Sequence, residues 1–422
     1  MLYKKKNILL LLKYPQSWEE QYVRVLSHQF DVETIYANNL LYQGGSKYLI
    51  SIINNKILET KCSIIFIEVD YYPAIDASFI ASIKNIKKVM FSFDDLMFHE
   101  RNALTAAAGM CDVVLTADPL SVLKYEEKLI NAHLVLPEST VPDYDANEKI
   151  EKRNDVLFFG LTTKGDRAIF IDYLKSNGIN VKVVGDKERI SQARLLEEIK
   201  ASKIILNLSK SSHTTTNLEF GYIEKDSFSL FLQFKLRVIE AGLNGVACVS
   251  EYTPAQNLMF SAEELPVFQT KEECLKIIKE LLDNKNLLLD LANNLTKTVI
   301  EKYESKPLMA AVAKKIDNSF YRDVSVTIPD WYYLETLNER IRITHYKNPI
   351  KGPIKELISF HYPAKYWYSR QNIYICFIGS IVFIKQSYVF YKNRTVLKIK
   401  NILVRIKAKL YGSKKSYRKD NN

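Results

Sequence analysis

The chain has 422 residues, of which 47% are hydrophobic and 25% are charged, and its formal net charge is +11 at pH 7. This length exceeds one compact core and the apolar content excludes a largely disordered chain, so more than one domain is expected. The charge is uneven, because 17 basic and two acidic residues lie in residues 347–422, which leaves residues 1–346 at about −4. The sequence therefore predicts a mildly acidic globular part followed by a basic segment.

The cysteines argue against a disulfide framework and against structural zinc. The chain has five, an odd number, and they are widely separated: Cys62, Cys111, Cys248, Cys274 and Cys376. A reducing compartment and no metal site are expected. The apolar run at residues 8–12 is too short for a signal peptide, and the run at residues 373–384 is too short to span a membrane. A cytoplasmic protein is predicted.

The first part of the chain alternates short apolar runs with segments of helical spacing. Buried strands that alternate with helices predict a parallel sheet covered on both faces, hence a doubly wound α/β domain at residues 1–145. The predicted strands are residues 7–12, 31–36, 63–69, 88–93, 112–116 and 133–136.

A polar stretch at residues 137–154 interrupts this rhythm, as a connection between domains would. The alternation then resumes, which predicts a second Rossmann-like domain at residues 150–320 and leaves residues 321–422 as a basic, aromatic-rich helical tail. Two such domains enclose a cleft, and ligands of parallel sheets bind outside the carboxyl ends of the strands. The predicted strands of the second domain are residues 155–159, 180–184, 203–208 and 246–250.

The first candidate site follows the strand at residues 155–159. Gly160 begins a turn, and the helix after it starts with hydroxyl and basic side chains, among them Thr162 and Arg167. Backbone N–H groups at a helix start, together with these side chains, favour the binding of a diphosphate. An ordinary strand-to-helix turn that needs glycine for steric reasons is the alternative.

The second candidate site lies in residues 235–253. A helix predicted at residues 231–241 runs through a glycine turn into a strand whose end faces the cleft, and the glycines let a ligand approach the backbone. Arg237 and Glu240 share one helical face, so a structural ion pair is the alternative to a ligand site. The candidate residues are Lys235, Arg237, Glu240, Gly242, Ser250, Glu251 and Thr253.

Residues 234–260, and residues 155–303 more loosely, resemble the group 1 glycosyltransferases, specifically the CgeB-like spore-protein branch with a GT-B fold. In that branch a Lys-Gly-Arg-x-Phe-Glu helix precedes a glycine turn and a Leu-Thr-Glu strand end. This chain has Lys-Leu-Arg-Val-Ile-Glu at residues 235–240 and Val-Ser-Glu at residues 249–251. It departs from the pattern at Leu236, and Leu232 stands where many retaining relatives carry a further carboxylate.

The resemblance implies an enzyme that transfers a sugar from a nucleoside-diphosphate sugar to a glycan or lipid-linked acceptor during synthesis of a surface polysaccharide or glycoconjugate. Glu240 would accept hydrogen bonds from donor hydroxyls. Lys235, Arg237 and Arg167 would neutralise the diphosphate as the glycosidic bond breaks, so activity without a metal ion is expected. The departures leave open whether the sugar configuration is retained or inverted.

The acceptor side is expected in the first domain. Asp94, Asp95 and His99 follow a predicted strand end, where one carboxylate, Asp95 in particular, would take the proton from the acceptor hydroxyl in an inverting enzyme. Capping of the following helix is the alternative role for either aspartate. The pair Gly44 and Gly45 is a second candidate for a cleft contact, although such a pair more often forms a simple turn.

The basic tail, residues 346–422, contains a predicted amphipathic helix. Apolar residues recur at positions 396, 399, 403, 406 and 410, and basic residues gather on the other side. A helix of this kind binds the anionic inner surface of a membrane, and packing of the tail on the catalytic domains is the alternative. No nucleic-acid-binding module accompanies the charge, so no nucleic-acid partner is expected.

Two other functions are compatible with these features. A nucleotide-sugar epimerase with the GT-B fold would turn over the donor without any acceptor. A non-catalytic scaffold would bind a glycan or a membrane assembly without turnover, and the missing carboxylate at Leu232 keeps this alternative open. Turnover of the donor alone would separate the epimerase from the transferase.

Overall fold

The computed structural model describes residues 5–319, except residues 14, 16, 69–76, 93–94, 137–150, 164–165, 187–189 and 211–231, together with residues 336, 340, 343, 344, 351 and 356. Its contacts divide the chain into two compact units. The first holds both β-sheets, and the second contains residues 36–59, 72–83 and 327–422. Residues 137–150 of the predicted connection at residues 137–154, Asp94 and the predicted amphipathic helix of the tail lie outside the described residues.

The first sheet has six strands in the order β2-β1-β3-β4-β5-β6, and its four pairings from β1 to β6 are parallel. Five consecutive residues of β1, from Ile8 to Leu12, are buried, so this strand is covered on both faces as a central parallel strand must be. The strands are β1 (Lys6–Leu12), β2 (Phe30–Tyr36), β3 (Ile64–Glu68), β4 (Lys87–Ser92), β5 (Val113–Thr116) and β6 (Ala132–Leu134).

The helices of this region include α1 (Ser17–Ser27), α5 (Asp95–Thr105), which continues into a π-helical turn at Ala106–Met110, and α6 (Pro119–Glu127). The last described helix, α13 (Ser305–Asn318), returns to the first sheet and contacts α1. Lys87, at the start of β4, donates hydrogen bonds from its ammonium to the carbonyls of Ile316, Asp317 and Ser319 at the end of α13. A lysine at a helix C-terminus satisfies carbonyls that the helix cannot, so α13 is anchored there.

The second sheet has five strands in the order β11-β10-β9-β7-β8, all paired in parallel. The strands are β7 (Asn154–Phe159), β8 (Val181–Val184), β9 (Ser202–Asn207), β10 (Ala247–Glu251) and β11 (Val267–Phe268). The helices are α7 (Arg167–Ser176), α8 (Gln192–Lys200), α9 (Arg237–Leu243), α10 (Pro254–Asn257), α11 (Lys271–Asp283) and α12 (Lys285–Thr298), followed by a π-helical turn at Val299–Tyr303. The predicted architecture of two parallel sheets with alternating helices is confirmed.

Side chains of the second sheet alternate between two buried clusters, one on each face. Val156 and Phe158 of β7 join α7 and α11, whereas Leu157 joins α8, α9 and α12. In α11 the buried residues are Cys274, Ile278 and Leu281, which recur at the spacing of an amphipathic helix.

One predicted helix begins later than expected. Residues 233–235 are not helical, and α9 starts at Arg237 rather than at residue 231. Leu232 instead forms an antiparallel bridge with Lys210, and the Gln233 N–H donates to the Ser209 carbonyl at 3.2 Å. Residues 232 and 233 therefore pair with the chain that follows β9 instead of forming the first turn of the predicted helix. Lys235 precedes α9.

The second compact unit contains α2 (Ala37–Gly44), α3 (Ser46–Thr60) and α4 (Ala77–Ser82). The Gly44 and Gly45 pair connects α2 to α3, and Gly45 has a φ of 78°, which glycine adopts without strain. The buried carboxylate of Glu356 accepts hydrogen bonds from the Ser46 N–H at 3.0 Å and from the Ser46 hydroxyl. A carboxylate suits the positive end of a helix, so Glu356 ties the segment after residue 327 to α3.

Gly242 packs α9 against α12. A Cβ atom at this position would lie 2.5 Å from Cγ2 and 2.8 Å from Cβ of Val299, and 3.3 Å from the carbonyl oxygen of Leu295. Such distances are too short for carbon atoms in a close-packed interior, so only glycine lets the two helices approach this closely.

We therefore expect Gly242→Ala to lower the free energy of unfolding by about 1 to 3 kcal/mol, since the helices must separate or the side chains must leave their rotamers. Chemical denaturation measures this change. Val299→Ala removes the Val299 Cγ atoms. In this background Gly242→Ala should therefore lower the free energy of unfolding by less than it does in the wild type. Stability of Gly242→Ala equal to the wild type would show that the helices do not pack in this way.

Candidate active site

Arg237 joins three elements at the carboxyl end of the second sheet. It is the first residue of α9, and its Nε donates to the Phe159 carbonyl at the end of β7 at 2.7 Å. Its Nη1 lies 3.4 Å from the Asn207 amide oxygen and 3.5 Å from the Leu208 carbonyl, both at the end of β9. The guanidinium also covers the Phe158 ring at 4.9 Å from its centroid. Arg237 thus holds the ends of β7 and β9 beside the start of α9.

Arg167 approaches the same point from α7, of which it is the first residue. Its Nη2 lies 3.4 Å from the Leu208 carbonyl and 3.1 Å from the Lys210 carbonyl, and its Nη1 donates to the Leu161 carbonyl at 3.0 Å. Its guanidinium lies 5.8 Å from the centroid of the Phe158 ring, and only 3% of the residue is exposed. The two arginines therefore share a carbonyl and an aromatic ring.

The proximity of two cations, Arg167 buried and Arg237 partly buried, is electrostatically unfavourable. Burial and the positive charge of Arg167 lower the pKa of Arg237 to about 9, although the negative charge of Glu240 opposes this change. Arg237 still carries its charge at neutral pH. A bound anion would relieve the repulsion and form charge-assisted hydrogen bonds, so this arrangement is suited to a phosphate group.

Gly160 makes room for the Arg237 guanidinium. Its φ is 118°, which other residues rarely adopt, and a Cβ atom there would lie 2.6 Å from the Arg237 Nη2. The next turn is fixed by Thr162, whose N–H and hydroxyl both donate to the Asp186 carboxylate, at 2.7 and 2.8 Å. Glycine is needed here for conformation and for space.

The end of β10 adds a carboxylate and a second network of hydrogen bonds. Glu251 is buried, and its Oε2 accepts from the N–H groups of Ser209 at 2.8 Å and Lys210 at 3.1 Å. The Lys210 ammonium lies 3.0 Å from the Glu251 Oε1 and 2.6 Å from the Asp166 Oδ2. The Ser250 hydroxyl accepts from the Asn207 amide at 2.8 Å. Glu251 and Ser250 therefore lie at the same sheet edge as the arginines.

Three side chains of this cluster were not among the predicted site residues: Asp166, Asn207 and Lys210. Asn207 ends a strand and Lys210 lies three residues beyond it, so polar residues after each strand end are the signal that identifies them. Asp166 precedes α7, at the start of the helix predicted there.

Other predicted site residues have local structural partners. Lys235 donates from its ammonium to the Gln233 side-chain oxygen at 2.6 Å, and Thr253 caps α10 in a reciprocal pair with Gln256. Gly242 faces Val299 as described above. Glu240 is buried in α9 one turn after Arg237, close enough for its charge to affect that of Arg237. The structure thus brings Arg167, Arg237 and Glu240 together, while Lys235 has another partner.

Asp95 belongs to a separate buried network in the first sheet. It is the first residue of α5, is 0% exposed, and accepts hydrogen bonds from the Asn102 amide at 2.9 Å and the Tyr125 hydroxyl at 2.7 Å. Burial raises the pKa of its carboxyl above the usual value, although these hydrogen bonds oppose the change. A base for the acceptor hydroxyl must reach the cleft, whereas this carboxylate is enclosed.

His99 lies one helical turn after Asp95, and its ring centroid is 4.5 Å from that of Tyr125. Neither ring nitrogen has a hydrogen-bond partner among the described residues. Burial, together with the positive charges of Lys124 and Lys128, lowers the pKa of His99 to about 4. The imidazole is therefore neutral at physiological pH.

Because the unfolded chain binds a proton at His99 below about pH 6.5 and the folded chain does not until about pH 4, stability should fall as the pH falls through this range. His99 adds at most roughly 1.4 kcal/mol per pH unit to the slope of the free energy of unfolding against pH. His99→Phe keeps the contact with Tyr125 and removes the titration. Urea denaturation between pH 7 and pH 4 should give a shallower slope for the variant, and an unchanged slope would contradict the buried neutral imidazole.

No group of three or more His, Cys, Asp or Glu residues in the described part of the chain is arranged to hold a metal ion. None of the described helices has the length and apolar character needed to cross a membrane.

Comparison with known proteins gives a family match over part of the chain. Residues 167–313 match the model of a family described as glycosyl transferase-like. A search of curated protein sequences finds no match. Residues 167–313 include Arg167, Arg237, Glu240 and Glu251.

Solved structures match over most of the chain. Sucrose-phosphate synthase from Thermosynechococcus elongatus gives a TM-score of 0.53 at 12% identity and covers 74% of this chain and 98% of its own. HepE of Anabaena, in complex with UDP and glucose, gives a TM-score of 0.50 at 12% identity, and the match covers 74% of this chain and 99% of HepE. A glycosyltransferase from Rickettsia africae gives a TM-score of 0.50 at 10% identity, and the match covers 75% of this chain and 98% of that glycosyltransferase. The chain therefore has the GT-B fold, and residues 167–313, which begin after β7, match a glycosyl transferase-like family.

Proposed function

We propose that the protein is a glycosyltransferase that moves a sugar from a nucleoside-diphosphate sugar to an acceptor. The observation that carries this proposal is the convergence of two guanidiniums beside the Gly160 turn, that of the buried Arg167 and that of the partly buried Arg237. Their shared position at the Leu208 carbonyl concentrates positive charge at the carboxyl edge of a parallel sheet, where ligands of such sheets bind. The family match over residues 167–313 supports the proposal, and so does the structure of HepE with UDP and glucose.

Cleavage of the bond between sugar and diphosphate leaves negative charge on the leaving phosphate. Fixed positive groups in a site shielded from water stabilise this charge more than they stabilise the intact donor, which accelerates the reaction. Arg167 and Arg237 are held in place by carbonyl oxygens, so little reorganisation is needed. Glu240, one turn into α9, is proposed to accept hydrogen bonds from the sugar hydroxyls. We also propose that the chain belongs to the CgeB-like branch of the group 1 glycosyltransferases.

We further propose that the reaction needs no metal ion, because the arginines and the start of α7 supply the charge that a divalent cation supplies elsewhere. The acceptor is proposed to be a glycan or a lipid-linked saccharide in the synthesis of a surface polysaccharide or glycoconjugate. The basic tail supports a lipid-linked acceptor, since it favours an anionic membrane surface.

The melting temperature of the protein, measured with UDP-, GDP-, CMP- and dTDP-sugars in turn, identifies the donor, since a ligand of the folded state raises the melting temperature.

With that donor, Glu240→Gln should lower the rate of transfer by about 100-fold or more, because the amide cannot replace the carboxylate. Glu197→Gln, at an exposed position in α8 with 50% side-chain exposure, is the matched control and should keep full activity. Wild-type turnover by Glu240→Gln would remove this residue from the mechanism, and turnover of the donor without any acceptor would favour the epimerase.

The tail is tested by deletion of residues 361–422, a boundary that keeps Glu356 and its contact with Ser46. Sedimentation with vesicles that contain anionic phosphatidylserine should recover the full chain but not the truncated one, and added salt should weaken the binding. Vesicles of phosphatidylcholine alone are the control. Equal recovery of both chains would refute the proposed membrane contact.

A further inference from the structure

Lys210 connects two carboxylates at the proposed donor site. It follows β9, and its ammonium lies 2.6 Å from Asp166, at the start of α7, and 3.0 Å from Glu251, at the end of β10. Its backbone carbonyl accepts from Arg167 at 3.1 Å. Lys210 is therefore in direct contact with the arginine cluster formed by Arg167 and Arg237, although it has no role in the mechanism proposed above.

The cations of the cluster differ in their freedom to move. Arg237 is held by the carbonyls of Phe159 and Leu208, and Arg167 is held by three carbonyls, so each is fixed where it lies. The Lys210 side chain is 27% exposed, and an ammonium on a flexible stem turns more easily than a planar guanidinium. Among these three cations, Lys210 is the one that can follow a phosphate.

Release of the ammonium from one carboxylate would leave Glu251 with other partners and Asp166 with access to water. Glu251 keeps the N–H groups of Ser209 and Lys210, because both belong to the backbone and stay in place when the side chain turns. Asp166 has a side-chain exposure of 32%, so water can solvate it. The exchange therefore avoids an isolated buried charge, which is the usual obstacle to breaking such a pair.

We propose that Lys210 is a third cation of the diphosphate site, and that its ammonium exchanges a carboxylate partner for a phosphate oxygen when a nucleoside diphosphate binds. This inference rests on the proposed donor site and adds a residue that distinguishes diphosphates from monophosphates. The two fixed arginines supply charge at one point, and the mobile lysine supplies it to the second phosphate.

Calorimetry with UDP, GDP, CDP and dTDP and with the four corresponding monophosphates tests the proposal. For the diphosphate that the wild type binds, Lys210→Met should weaken binding by about 10- to 100-fold, which is the usual effect of removing one partner of a charged hydrogen bond. Binding of the monophosphate should change by less than about threefold. Lys210→Gln, which removes the charge and keeps a hydrogen-bond donor, should behave like Lys210→Met and guards against misfolding of the latter.

Lys203→Met is the matched control. Lys203 lies near the start of β9, where its ammonium pairs with Asp155 at 2.8 Å, so the variant breaks an ion pair of the same sheet at its opposite edge. It should bind the diphosphate as the wild type does. Wild-type diphosphate affinity in folded Lys210→Gln would overturn the role of Lys210 and leave the donor site intact, and so would equal losses for diphosphate and monophosphate. Failure of the wild type to bind any of these nucleotides would overturn the donor site itself, and the role of Lys210 with it.

Discussion

The contact between the Arg237 guanidinium and the Gly160 turn organises the carboxyl edge of the second sheet. Through it, the first residue of α9 reaches the last carbonyl of β7 and the end of β9. A side chain at position 160 would collide with the guanidinium. The Phe159 carbonyl, the Asn207 amide oxygen and the Leu208 carbonyl surround the Arg237 guanidinium, so it cannot turn to another partner without leaving polar groups unsatisfied.

The two sheets carry different chemistry at equivalent edges. At the end of β4 and β5, burial raises the pKa of Asp95 and lowers that of His99, so the first sheet favours neutral groups. At the end of β7 and β9, two arginines that carry positive charge lie close together, Arg167 buried and Arg237 partly buried. An anionic ligand is therefore favoured at the second sheet. The match of residues 167–313 to a glycosyl transferase-like family falls on that same half of the chain.

Much of the fold follows from local pattern. The strands of both sheets other than the two-residue β11, which was not predicted, were predicted within about two residues, because continuous runs of branched apolar residues have few alternatives in a sequence that alternates with helices. The start of α9 was predicted wrongly, since the bridge between Lys210 and Leu232 is a contact over a long stretch of chain that no local pattern reports. Gly242 was predicted to allow a ligand close to the backbone, whereas in the structure it faces Val299, and only the packed helices show this. Lys210 was missed because its importance comes from Asp166 and Glu251, which are distant in the sequence.

If Gly160 allows Arg237 to form an anion site, a side chain at position 160 must weaken the binding of the nucleoside diphosphate, and the affinity of Gly160→Ala measures this effect. Gly178→Ala is the matched control, since Gly178 also has a positive φ, 86°, in the same half of the chain, but a Cβ atom there meets nothing within 4 Å. We expect Gly160→Ala to bind the nucleoside diphosphate at least about tenfold more weakly than the wild type, and Gly178→Ala to bind it within about twofold of the wild type. Wild-type affinity in a folded Gly160→Ala protein would contradict it.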